Sequence, residues 1–509
     1  MGIIKRQGLK GSIVNYVGVI VGVVFFNFIF PHLVSEEHLG LINLLRNLTY
    51  VLGAIPTLGL AHVLLNHFNQ WKNTEKENGY NTFALISTSI ALFLFSLGYI
   101  LFKKEIIAFY ESQSPLFANY FYSVIPLIII FTYTQYFELF SLVKYRAAVP
   151  AFLREVLGRI ILIFVFYLFA YHFISLNGLV WGLLISFLIP GLVLLIYNFK
   201  VLKFKFQSAA YYYKNNIDLI KELKYGGAIY LLLIFGNLSN FMDGILLPMY
   251  LGLGTLGIYT PSLVLGQMIQ IPYRAISLIS IPVIRDALSN NDIKKVEILN
   301  KDLAINLFLI SCFLFVLLVG NIDGIFGLIP LKYGAAKNVL IIIAFGRLLD
   351  MAFGLNTEII TYSENYSFMI WLSGVFVVMT LVLNLILIPT YGMNGAATAI
   401  TISLIVYNIF KTSYIYFKYK FHCFSKFYIH IIFISIFILF LNYFIPYLTI
   451  INNHMFINSL LNIILKSIIL GTLFILPVYY FKISIDFNDF IKLILSGKIF
   501  KGGHKMEEL

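Results

Sequence analysis

Fourteen apolar stretches of about 20 residues run along this chain, the first centred on 12–30 and the last on 456–481. Each is long enough for an α-helix to cross a bilayer, and no two-residue alternation recurs that would suggest a β-barrel. Only 12% of the 509 residues are charged and 60% are hydrophobic, whereas soluble domains carry about 25% charged residues. The pattern therefore predicts an all-α integral membrane protein with fourteen transmembrane helices. The stretches 39–66, 222–250, 255–283 and 336–361 are long, so these helices should tilt or kink. The third of them contains Pro261, Pro272 and Pro282, residues that interrupt a helical hydrogen-bond ladder.

The 36 Lys and Arg residues orient this bundle. Every second loop, together with both termini, holds 27 of them, while the opposite loops hold only Lys103, Lys104, Lys332 and Lys337. The remaining five, Arg46, Arg159, Arg274, Arg347 and Lys466, fall inside apolar stretches. Lys and Arg concentrate in cytoplasmic loops, so both termini are expected in the cytoplasm. The same bias accounts for the net charge of +13 without a nucleic-acid partner. The opening MGIIKRQGLKG is basic and leads into an apolar run with no small-residue cleavage site. It reads as the flank of a retained first span. Cys312 lies in an apolar stretch and Cys423 in a basic loop, and the two suggest no disulfide framework.

Two matches at one offset reveal a duplication. PHLVSEEHLG (Pro31 to Gly40) and PMYLGLGTLG (Pro248 to Gly257) share proline, eight residues and glycine, at an offset of 217. LNGLVWGLLIS (Leu176 to Ser186) and MNGAATAITIS (Met393 to Ser403) share Asn, Gly and Ser at the same offset. Each repeat holds six spans, an even number, so the two enter the membrane in the same orientation and form parallel repeats. The expected organisation is a six-helix lobe over 1–205, a second over 206–420, helices thirteen and fourteen within 421–481, and a cytoplasmic tail over 482–509. In the tail, NDFIKLILSGKIFK (Asn488 to Lys501) mixes apolar and basic residues at near-helical spacing, as an interfacial helix does.

NLILIPTYGMNGAATAI (Asn384 to Ile400) resembles the loop between spans eleven and twelve of polysaccharide flippases in the multidrug/oligosaccharidyl-lipid/polysaccharide exporter (MOP) superfamily. MDGILLPMYLGLGTLGIYTPS (Met242 to Ser262) looks like that family's seventh-to-eighth-span region, and SEEHLGLINLL (Ser35 to Leu45) like the corresponding first-half turn. The resemblance covers nearly the whole chain and implies a multi-pass protein of the bacterial inner membrane, of Wzx or O-antigen flippase type. Such proteins move undecaprenyl-pyrophosphate-linked oligosaccharides between leaflets by alternating access, alongside other polysaccharide assembly proteins and membrane lipids. A cation-coupled multidrug exporter on the same fold is the alternative, although the first span has no acid. A membrane glycosyltransferase or polymerase is the alternative of a different class, and the short outer loops argue against it. No nucleotide-binding loop, metal-spaced His/Cys cluster or nucleophile elbow is present in the sequence, so no enzyme is expected, and no metal or other cofactor.

A pyrophosphate and a glycan are the parts of such a ligand that hydrocarbon excludes, and arginine's planar fork suits phosphate. Arg46 is the leading substrate-binding candidate, with Asn43 and Asn47 beside it, and the competing reading is that Arg46 snorkels outward or pairs with an acid. Arg274, two residues after Pro272, is the second candidate. Arg347 is three residues from Asp350 and on the same helix face, which suits a charge pair as well as a ligand contact. Lys466 lies mid-span in the last helix, within reach of a lipid passing along it. Arg159, with Glu155 and Arg154 nearby, reads as structural or as an entry rim. Asp243 is a membrane carboxylate suited to pairing or to coupling with a proton or sodium ion. Glu138 and Glu358 sit near inner helix ends, where solvation is expected.

This topology predicts that single cysteines at Ser208 and Glu37 label from opposite membrane faces with an impermeant thiol reagent. Labelling of both from the periplasm would exclude the fourteen-span arrangement.

Overall fold

A computed structural model describes residues 14, 17–72, 74–210, 212, 219–449 and 454–495. The expected cytoplasmic Lys5, Arg6, Lys10 and Lys214, and the tail beyond 495, lie outside the described residues. Among the described residues all regular structure is helical. Among the described residues eight helices are long and apolar enough to cross a membrane, and a ninth candidate is the broken pair Leu253–Arg274 and Ile279–Ser289. One of the eight, Tyr366–Tyr419, is two helices joined at Gly392, whose φ of 60° and ψ of −136° are non-helical. Glycine is suited to this left-handed φ. The loop expected between spans eleven and twelve is thus reduced to one residue.

Local chemistry explains the breaks. The helix Glu36–Leu52 starts where Ser35 Oγ accepts the His38 amide, with Glu36 and Glu37 in the first turn. Span two does not run on to residue 66 as one helix. It stops at Leu52, passes through Leu58 and Gly59 with positive φ, and resumes as Leu60–Trp71. In span eight Pro272 lies in the first turn of Ile271–Ser289 and Pro261 and Pro282 lie within helices, while the 51° bend falls between Arg274 and Ile279, on the N-terminal side of Pro282. Span ten divides into Lys337–Ala352 and Asn356–Thr361 around Gly354, φ 63°.

The repeat is visible in helix registration. Helices beginning at Glu36 and Glu75 have counterparts beginning at Leu253 and Ile293. The helix beginning at Leu176 has its counterpart in the segment resuming after Gly392.

The chain divides into two compact units, Met1–Pro261 with Ser373–Ala396, and Ser262–Leu372 with Ala397–Leu509. In the first, one core gathers Trp71, Tyr80, Tyr136, Phe140, Leu194 and Phe204. A second contact there is reciprocal. A β-carbon on Gly40 would lie 1.8 Å from the Leu253 carbonyl oxygen, and one on Gly257 would lie 2.1 Å from the Glu36 carbonyl oxygen. Residue 253 is the repeat mate of 36, and 257 of 40, so the pattern is that of a two-fold contact. In the second unit, Ile293–Gly320, Phe427–Asn442 and Met455–Tyr480 bury Phe308, Cys312, Ile431, Ile438, Leu470 and Phe474 together. The helix Ile485–Leu495 follows, and Asp486 accepts a hydrogen bond from Asn306 at 2.7 Å.

Overpacking a tight contact costs about 1–3 kcal/mol. Gly40→Val, aimed at a backbone oxygen, should fall at the upper end and lower both the melting temperature in detergent and membrane abundance. Gly98→Ala, with nothing within 4 Å of the added carbon, should leave both unchanged.

Candidate functional site

Three arginines and two glutamates form a cluster within the first unit. Leu153–Leu157 is a π-helical turn leading into Gly158–Ala170, and it carries Arg154 and Glu155. Arg154 donates to Glu138 at 2.6 Å and to Glu155 at 2.9 Å. Arg159 donates to Glu155 one turn away and to the Gly18 carbonyl oxygen. Gly18 and Gly22 leave the space for this. Added β-carbons would lie 2.6 Å from the Glu155 carbonyl oxygen and 2.5 Å from the Arg159 guanidinium, respectively. Arg154 and Arg159 are therefore neutralised, and Glu138 is paired rather than simply solvated.

Arg46 differs. It is half-buried on the Glu36–Leu52 helix, within electrostatic reach of Arg159. Among the described residues no carboxylate lies within salt-bridge distance of its guanidinium, so the acid pairing weighed from the sequence is not formed. Asn43 and Asn47 are half-buried on the same helix. The Asn47 amide rests against Gly244, where an added β-carbon would be 1.9 Å from Nδ2.

That contact leads to Asp243, which is 4% exposed. Tyr259 donates to one of its oxygens at 2.8 Å, and Asn384 donates to the other at 3.2 Å. Both donors were missed in the sequence. Asn384 opens the segment singled out by resemblance, but an asparagine or tyrosine in an apolar run does not announce its partner.

In the second unit Arg274 is exposed and Arg347 is buried. Asp350 accepts from Gln270 and Asn408, each at 2.7 Å. Lys466 is half-buried, and its helix neighbours Ile463 and Ser467 line an apolar cavity of about 200 Å³ with Ile269, Leu314, Leu318 and Ile325. The solvation expected at Glu358 is not found. The left-handed turn at Gly354 sends Asn356–Thr361 back into the core, and Glu358 is 7% exposed. It accepts from Tyr273 at 2.8 Å and Ser277 at 2.5 Å. Lys411, counted from the sequence among the cytoplasmic charges, is also buried.

No protein-family model matches the chain. Solved structures share its fold. Lipid II flippase MurJ, in an inward closed conformation, aligns with a TM-score of 0.66 over 93% of this chain and 99% of that one, at 14% identity. An inward-facing multidrug resistance MATE family transporter of the MOP superfamily gives 0.63 over 80% and 98%, also at 14% identity. The chain has the MOP-superfamily fold. The fold expected from the quoted segments is thereby borne out. A capsular polysaccharide biosynthesis protein of Staphylococcus aureus, CapF, is 30% identical to this MOP-fold chain over 230 residues. The match covers 42% of the chain and about half, 54%, of that curated relative's length.

Removing a carboxylate from buried donors leaves them unsatisfied, which costs about 1–3 kcal/mol. Asp243→Leu should therefore lower the melting temperature clearly. Asp243→Asn retains one acceptor oxygen and should lower it by less than half as much.

Proposed function

We propose that this protein is a flippase for an undecaprenyl-pyrophosphate-linked oligosaccharide in the bacterial inner membrane. It would carry the repeat unit of a capsule, O-antigen or related surface polysaccharide from the cytoplasmic to the periplasmic leaflet. The observation that carries this reading is Arg46. A half-buried guanidinium with no carboxylate beside it among the described residues, in a cluster whose other arginines are already neutralised, is prepared for an anion brought by a ligand. A pyrophosphate presents oxygens that match its fork, and Asn43 and Asn47 extend the polar face toward a sugar. The apolar cavity beside the Met455–Tyr480 helix suits a section of polyprenyl chain. The CapF match and the fold shared with a lipid II flippase support the same substrate class.

The reading includes the fourteen-span topology with cytoplasmic termini. It also includes the two six-helix lobes, 1–205 and 206–420, as the parts that alternate access. Arg274, Arg347 and Lys466 are secondary substrate contacts in this scheme, and Asp243 and Asp350 are structural or coupling acids.

Bidentate, charge-assisted hydrogen bonds contribute about 1.5–3 kcal/mol. In a host lacking its own copy, Arg46→Ala should therefore reduce surface polysaccharide at least about tenfold at unchanged membrane abundance. Arg46→Lys should recover part of it, because charge remains but the fork is lost. Export by Arg46→Ala equal to the parent at equal abundance would remove Arg46 from the site. Deletion of the protein should leave lipid-linked oligosaccharide on the cytoplasmic face.

A further inference from the structure

The second unit holds a buried polar network drawn from four stretches of chain. Gln270, Tyr273 and Ser277 come from span eight, Asp350, Thr357 and Glu358 from span ten, and Asn408 and Lys411 from the helix that resumes after Gly392. Asn300 joins from Ile293–Gly320 through Asn356, at 3.0 Å. Lys411 is 4% exposed. Its ammonium donates to Thr357 Oγ1 at 2.9 Å and sits 4.3 Å from the centre of the Tyr407 ring. Asp350 and Glu358 are its charged neighbours, yet among the described residues neither has an oxygen within 4 Å of it.

The groups differ in how fully their hydrogen-bonding capacity is met. Both acids here are supplied by neutral donors: Asp350 by two amides, Glu358 by two hydroxyls. The ammonium, by contrast, has three N–H groups for one hydroxyl and one ring face. Thr357 can accept from an ammonium or turn and donate to an amine, so this contact survives loss of the proton.

We propose that Lys411 is a proton-binding site of the second unit, loaded as ammonium and released as amine, with Asp350 and Glu358 as its charged neighbours. On release the Nζ–H bond breaks, its electron pair stays on nitrogen, and the proton passes to water. Of the charged side chains on the surrounding helices, Arg274, Arg285, Asp286, Lys294, Lys295, Asp302 and Lys418 are exposed, Glu297 and Lys301 pair with each other, and Arg347 is buried; the titratable hydroxyls beside the network are Tyr273 and Tyr407. Releasing the proton removes one positive charge from beside Asp350 and Glu358, and the helices that share the network must respond. The ligand is a proton, whatever molecule is translocated.

The test is hydrogen–deuterium exchange of the full chain in phospholipid nanodiscs, followed over residues 397–415 between about pD 6 and 10 and corrected for intrinsic exchange. The parent protein should show a step of about threefold or more. Lys411→Arg cannot release its proton and should remain at the low-pD level throughout. Lys411→Met should remain at the high-pD level. Arginine keeps the charge, so it decides the matter even if the methionine variant does not fold. A flat parent profile, or a step retained in Lys411→Arg, overturns the proposal. So does a step reproduced at fixed pD by sodium chloride but not by potassium chloride, since the ligand would then be a metal cation. No lipid substrate is needed, so this result stands apart from the outcome of the Arg46 experiment.

Discussion

Hydrocarbon offers no hydrogen bond to a buried polar group, and this constraint shapes the chain at every level. It makes the backbone helical, so that each segment satisfies its own amides. Where a helix must break, it does so at residues that tolerate the change, such as Gly59, Gly354 and Gly392. It also collects the polar side chains into closed sets. Asp243 meets a tyrosine and an asparagine, Glu358 meets a tyrosine and a serine, and Arg154 and Arg159 meet Glu138 and Glu155. Against that background Arg46 is, among the described residues, a guanidinium outside such a set, and the proposed ligand contact rests on that difference.

At the 217-residue offset, helix starts and glycine contacts correspond while the chemistry differs. Gly40 and Gly257 accept each other's partner carbonyls across the repeat. At the same offset of 217, however, Arg46 corresponds to Leu263, Arg159 to Phe376 and Asp243 to Phe26. Asp350 corresponds to Tyr133, Glu358 to Ser141 and Lys411 to Leu194. The basic cluster therefore exists once, in the first half, and the acid–lysine network once, in the second. Packing contacts between repeats are constrained on both partners together, whereas a polar side chain needs only its local set of donors and acceptors.

The architecture was largely legible because hydropathy and charge act over long windows. An apolar stretch of 20 residues identifies a membrane helix whatever it packs against, and the 217-residue offset needs no coordinates. Breaks were harder to see. Span two looks continuous from 39 to 66 because the residues around its left-handed turn are as apolar as the helix. The site was legible only in part. Arg46, Asn47 and Asp243 stand out as polar residues in apolar runs. Glu358 and Lys411 did not, because each lies near the end of such a run, where a charge is ordinarily solvated. Their burial depends on Gly354 turning the chain inward and on the polar partners supplied by the neighbouring helices. Whether an arginine has an acid beside it is likewise a property of helices far apart in sequence.

The π-helical turn at Leu153–Leu157 has a consequence for how this region can vary. Such a turn accommodates one more residue than an α-helical turn and so rotates everything after it about the helix axis. Here that rotation sets which face of Gly158–Ala170 carries Arg159 toward the groove between Gly18 and Gly22. Loss of a single residue would restore a regular helix, with better backbone geometry, and would turn the arginine away from its carbonyl. The segment is thus intolerant of deletion for reasons of phase rather than of composition. A homologue with a regular helix here would need its counter-charge on a different face.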